Sequence, residues 1–297
     1  MDAGHDPVEV VFRATGRRRA DEVALVLIAV GLRPAVLELG ESWIVVVAGH
    51  EASRARAELA AWRSENRPRP ARQAPVAVSS GGPGVAGYVI VLLVVALAAA
   101  NFALGANWVA AGRIDGAAMN AGQWWRAVTA LTLHADFEHL AGNLFFGSVF
   151  GWFAGRYLGS GIAWLGTLAG GAAGNILNVA VMGKSHLAVG ASTAVFAALG
   201  LLATWVWAGR RGSREPWGYR WGPVVAAVAL LAYTGAGGEN TDVGAHLWGF
   251  ASGLAIGLGA ARLPRSVLLS RPLQAAAGAV SLLVITGAWL LALSAGS

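Results

Sequence analysis

Residues 190–207, GASTAVFAALGLLATWVW, decide how this chain folds. The stretch carries no charge and, at about 1.5 Å of helical rise per residue, is long enough to cross roughly 30 Å of hydrocarbon. It therefore reads as a membrane span. Working outward, five more runs of this kind are found at residues 85–104, 140–157, 162–182, 244–261 and 273–294, separated by short polar loops. A shorter apolar run at 221–236 opens near Pro223, where a proline in the first helical turn is tolerated. Composition agrees, since 56% of the residues are hydrophobic and only 13% are charged, the balance of an integral membrane protein.

The formal charge is +6. In so apolar a chain basic residues report topology rather than a nucleic-acid surface, and no nucleic-acid partner is expected. The sequence contains 0 cysteines, which excludes disulfides, thiolate catalysis and Cys-ligated zinc.

The first 66 residues differ from the rest. VEVVFRAT, PAVLELG and SWIVVVAG read as short strands, and RADEVALVLIAVGL and EASRARAELAAWRSE as amphipathic helices, which gives a small β-α-β-β-α domain over residues 1–66. Its polar start shows no apolar signal-peptide region. Residues 67–84, rich in Pro, Gly, Ser and Ala, read as a flexible linker.

Basic residues give the orientation. With the N-terminal domain in the cytoplasm, Arg156, Arg210, Arg211, Arg214, Arg220, Arg262, Arg265 and Arg271 fall on the inner side, against Arg113, Arg126 and Lys184 outside. Span 190–207 then runs from outside to inside, as does the span holding His246. Ser192 and His246 are expected at one depth, roughly 5–12 Å below the outer surface.

Ser192 alone reads as a packing or N-cap serine. His246 is different, because an ionisable group inside a span costs at least about 2.5–3.5 kcal/mol at the centre and marks function by default. Matched in depth, the two form a candidate nucleophile and base. The segment LHADFEHLAGN adds His134, His139 and Asn143, with His139 and Asn143 at i and i+4 on one helical face. They could hold the loop to the helix, or stabilise a developing oxyanion. Ala245, Gly249, Gly253 and Gly257 recur every four residues and form a small-residue stripe that lets a neighbouring helix approach. Asp242, one turn before His246, could orient the imidazole or lie solvated at the rim.

At these residues the chain resembles the rhomboid intramembrane serine proteases. The resemblance rests on Trp125-Arg126, the His134-x4-His139-x3-Asn143 array, Gly190-x-Ser192, and Ala245-His246-x2-Gly249-x3-Gly253, in that order over roughly residues 124–259. It implies a polytopic α-helical membrane protein with a six-helix core over residues 85–262, and one additional C-terminal transmembrane helix within 263–297. It implies Ser192 as nucleophile, His246 as general base, and His139, Asn143 and the Ser192 N–H as oxyanion hole. His134, Gly190, Phe196, Gly249, Gly253, Trp125 and Arg126 become structural residues near the site. Two positions depart from the family pattern: Thr193 stands where a glycine is usual, and Phe196 where a tyrosine often stacks on the histidine.

The implied substrates are membrane proteins cut in or near the outer part of their transmembrane helices, in the plasma membrane, with no cofactor and no metal. A non-catalytic helix-binding relative is the alternative. A transporter fits less well, because the spans show no paired internal halves.

Overall fold

The computed structural model describes residues 7–66, 79–212, 216–235 and 242–295. The residues read as linker before position 79, and Arg214 of the orientation argument, lie outside the described residues. The chain divides into two units, residues 1–73 and 74–297.

In the first unit β1 (Val8–Ala14), α1 (Arg17–Ala29), β2 (Ala35–Leu39), β3 (Ser42–Ala48) and α2 (Ala52–Glu65) follow in the order that their hydrophobic patterns dictate. The three strands form an antiparallel sheet with β3 in the centre, ordered β1-β3-β2. Gly40 and Glu41 connect β2 to β3 in a two-residue hairpin, and Gly40 supplies the positive φ, 61°, that such turns demand. Val23 and Leu27 of α1, Val45 and Val47 of β3 and Leu59 of α2 close its core.

The second unit is helical. It comprises α3 (Gly82–Ala100), α4 (Trp108–Gly112), β4 (Ile114–Asp115), α5 (Gly116–Asn120), α6 (Arg126–Thr129), α7 (Phe137–Leu158), α8 (Ser160–Met182), β5 (Leu187–Ala188), α9 (Ser192–Arg210), α10 (Trp217–Gly235), α11 (Val243–Ala260), α12 (Arg265–Leu268) and α13 (Arg271–Ala295). Helices α3, α8, α9, α11 and α13 are long and apolar enough to cross a membrane. Helices α7 and α10 have comparable lengths of 22 and 19 residues but are more polar: α7 carries Glu138, His139, Asn143 and Arg156, and α10 opens on Trp217, Tyr219, Arg220 and Trp221. The chain is an integral, multi-pass membrane protein of polytopic helical fold, preceded by a small α+β unit.

Several helix boundaries differ from the sequence reading by a few residues, two of them for a plain conformational reason. Helix α3 begins at Gly82, so the last residues of the stretch read as linker are helical; Pro83 in the first turn has the φ that a helix start requires. Helix α9 begins at Ser192 rather than at Gly190, because Gly190 adopts φ 140°, a conformation that ends regular structure there.

Helix α9 lies at the centre, its face buried from Thr193 to Leu201, and α11 packs along it on backbone rather than side chains. A Cβ added at Gly253 would lie 2.7 Å from Ala197 C, and one at Gly257 2.8 Å from Leu201 O. This close approach lets residues on two different helices share hydrogen bonds.

The C-terminal helix α13 is held by two specific contacts. Gln274 donates from Nε2 to the Leu158 and Leu268 carbonyls and accepts from Ile162 N–H, so one side chain satisfies the backbone where α7 turns into α8. At the other end Trp289 donates from Nε1 to Thr132 Oγ1 at 3.1 Å and packs on Trp108 with ring centroids 4.5 Å apart.

Candidate active site

The site begins with the loop that delivers Ser192. Strand β5 pairs with β4, Gly190 N–H donates to Ala130 O at 3.0 Å, and the chain then turns sharply into α9. Only glycine fits at 190. Its φ disfavours any L side chain, and an added Cβ would lie 2.7 Å from both Cε1 and Nε2 of His139. The imidazole of His139 therefore lies directly over the backbone two residues before Ser192. The first N–H groups of α9, Ser192 among them, have no acceptor within the helix and carry its positive dipole end.

His246 reaches the same point from α11. Its Nε2 lies 2.8 Å from Ser192 Oγ, across 54 residues of sequence. The histidine is buried, with 6% exposure, while Ser192 is half-buried. Phe196, one turn into α9, packs its ring on the imidazole at 4.5 Å between centroids. Thr193, at the position where glycine was expected, occupies a slot cut for it: its Cγ2 lies 2.8 Å from a Cβ placed at Gly174 and 2.9 Å from one at Gly249. The extra β-branched side chain is absorbed by glycines on both neighbouring helices.

Asp136 caps α7 by accepting from His139 N–H at 2.7 Å, which orders the first turn that carries His139. Asn143 is buried, and its amide donates to the His139 carbonyl at 3.1 Å along the helix. His134 lies in the preceding loop, edge-on to His139 at 5.2 Å, and its Nε2 accepts from Ala191 N–H at 3.5 Å. Burial first, then the neighbouring His139, depress the pKa of His134 to about 4 against the opposing pull of Asp136, so the ring is neutral at pH 7 and able to accept.

Trp125 and Arg126 serve the loop between α3 and α7. Arg126 is buried and donates to Gln123 Oε1 and to the carbonyls of Ala110 and Arg113, tying α4 to α6, while Trp125 packs with Val95, Leu133 and Trp289. Gly249 and Gly253 lie under Thr193 and Ala197.

Several supporting residues escaped the sequence reading. Asn175 donates to Ala127 O and so fixes α8 to α6. Asp242 neither orients the His246 ring nor stands free at the rim. It caps α11 by accepting from Ala245 N–H at 2.9 Å, accepts from Asn178 Nδ2 at 2.8 Å, and pairs with His186 Nε2 at 2.9 Å. The helix that carries His246 is thus anchored to α8 and to the loop before Ser192. The available signal was two asparagines inside the apolar run of α8, where polar groups need partners. Losing a cap of this kind costs about 1 kcal/mol, and two further partners are lost with it. Asp242→Ala should therefore melt several degrees below wild type in detergent, with Asp242→Asn, which still caps, between the two. Equal melting of the alanine form and wild type would remove Asp242 from this role.

Residues 121–263 match the family model described as Rhomboid domain. Over 90 residues the chain is 36% identical to Rhomboid-like protein 11, chloroplastic, of Arabidopsis thaliana, a match that covers 30% of this chain and 32% of that protein. The chain thus aligns with about a third of the length of this curated relative. The family match contains α6 to α11, and with them the serine on α9, the histidine on α11 and the polar residues of α7 that surround them. On these grounds residues 121–263, just under half of the chain, form a Rhomboid domain.

Proposed function

We propose that this protein is an intramembrane serine endopeptidase that hydrolyses a peptide bond in or near the outer part of a substrate's transmembrane helix. The observation that carries the reading is the 2.8 Å separation of Ser192 Oγ and His246 Nε2 between two helices packed backbone to backbone. That distance lies within the range for proton transfer.

In this reading Ser192 Oγ attacks the scissile carbonyl carbon while its proton passes to His246 Nε2. The oxyanion develops beside the first N–H groups of α9, His139 and Asn143. Asn143 exchanges its bond to the His139 carbonyl for one to the substrate oxygen. As the C–N bond breaks, His246 returns the proton to the leaving amine. Water, deprotonated by the same imidazole, then attacks the acyl-enzyme carbonyl and releases the carboxylic acid and Ser192. The chain's own groups complete both half-reactions. The orientation given by the basic residues, with the N-terminal unit cytoplasmic and the site opening outward, is part of the proposal, as is residence in the plasma membrane.

A fluorophosphonate, which reacts with activated serine hydroxyls, tests the nucleophile without knowledge of the natural substrate. Intact protein in liposomes should be labelled at Ser192, located by peptide mass spectrometry, and should cut a labelled single-span substrate. Labelling elsewhere, or none together with no cleavage, favours the non-catalytic helix-binding alternative. His139→Ala or Asn143→Ala should lower kcat by about 10- to 1000-fold, the cost of one oxyanion donor, with a smaller change in KM. A change in KM alone would make them substrate-positioning residues.

A further inference from the structure

We propose a second binding site in the membrane unit, for one anionic phospholipid of the leaflet on the Arg271 side. A cavity of about 740 Å³ lies between α3, α8 and α13, lined by neither Ser192 nor His246, and its size is that of pockets which enclose a small molecule. It is elongated. On α13 the lining face runs from Arg271 to Ile285, a rise of about 21 Å, which accommodates an acyl chain from one leaflet of roughly 15 Å with its glycerol and headgroup.

The chemistry of the lining changes along this length. At one end stands Arg271, the only charged residue of the lining among the described residues, exposed at the start of α13. Next come Ser160 and Trp164, one turn apart on α8. Ser160 Oγ, Trp164 Nε1 and, one turn deeper, Thr167 Oγ1 are enclosed by protein, so their polar atoms do not face the cavity. Beyond them the wall is mainly apolar, with Val91, Leu92, Leu131 and Ile285; Thr132 and Ser281 also line it, and their hydroxyls donate to the Thr129 and Ala277 carbonyls. A cation followed by a mainly apolar wall is the order met along a glycerophospholipid, from phosphate to acyl chain.

The far end of the cavity reaches Ala191 and Ala194, the residues on either side of the Ser192–Thr193 step. A lipid chain there would back the first turn of α9. The lipid site itself does not depend on the protease reading.

The test uses the full-length protein in nanodiscs of equal phosphatidylglycerol and phosphatidylcholine, released into mild detergent and weighed intact by native mass spectrometry. One phosphatidylglycerol should remain bound, favoured over phosphatidylcholine by about fivefold, the contribution of one basic residue near an anionic headgroup. Arg271→Gln should abolish that preference. Ala275→Trp, which sets an indole into the cavity from an exposed position of α13, should displace both lipids. Melting temperatures close to wild type establish that both variants are folded. Equal retention of the two lipids by wild type overturns the proposal. So does retention that is unchanged in either folded variant, because the lipid would then lie outside the cavity or away from Arg271.

Discussion

Replacing either Ser192 or His246 by alanine should lower cleavage of a single-span substrate by about 10⁴-fold or more, while the protein stays folded in the bilayer. The size follows from the unit that they form. In the proposed mechanism no acyl-enzyme is made without Oγ, and without Nε2 the hydroxyl, 2.8 Å away, has no base to take its proton. Two residues that act as one unit lose their effect together, so the double variant should be scarcely slower than either single one. His246 also fills space against Phe196, so His246→Gln, nearer in volume, separates loss of the base from loss of packing. Either single variant cutting at the wild-type rate in liposomes would dissolve the proposed dyad.

The second large effect is on the fold itself. A side chain at Gly249 would collide with the Thr193 carbonyl and come within 3.0 Å of its carbon, and one at Gly253 would lie 2.8 Å from Ala197 Cα. These neighbours are backbone atoms, which cannot rotate aside, so α9 and α11 must part. Gly249→Val should cost at least about 3 kcal/mol, at the upper end for an overpacked core, and give little monodisperse protein. Gly249→Ala should melt well below wild type and lose cleavage beyond its loss of stability, because the parted helices also carry Ser192 and His246. Gly259 lies on the same helix, and a Cβ added there would meet nothing within 4 Å. Gly259→Ala, which gains about 1 kcal/mol of helix propensity, should be neutral or stabilising. Equal melting of Gly249→Ala and Gly259→Ala would show that the α9–α11 contact is not set by these glycines.

Much of this was legible in the sequence because two of the relevant signals are local. A charge-free run near 20 residues has only one way to satisfy its backbone inside a bilayer, which is to form a helix, so the spans follow from composition and length. The strand and helix patterns of residues 8–65 are likewise local, with periods of two and 3.6 residues. Matched depth brought Ser192 and His246 to one level, since axial rise is fixed per residue. Gly190 and the stripe through Gly249 and Gly253 announced a sharp turn and a close approach, but not what would occupy the space.

Depth leaves rotation and contact undetermined, and those were decided by tertiary packing. That Thr193 finds room between Gly174 and Gly249 depends on how α8, α9 and α11 are turned about their axes. Asp242 lies one helical turn from His246 in sequence, yet its carboxylate turns to Asn178 and His186, because capping and pairing satisfy it better than a reach along its own helix. Asn143, read as an oxyanion donor, is turned onto its own helix for the same reason: a buried amide takes the nearest acceptor, here the His139 carbonyl. The sequence by itself determined which segments are long and apolar enough to span a bilayer, and that Ser192 and His246 lie at one level along them. Only the assembled helices decided which of those groups meet, since hydrogen bonds act over about 3 Å while hydrophobic length acts over the whole bilayer.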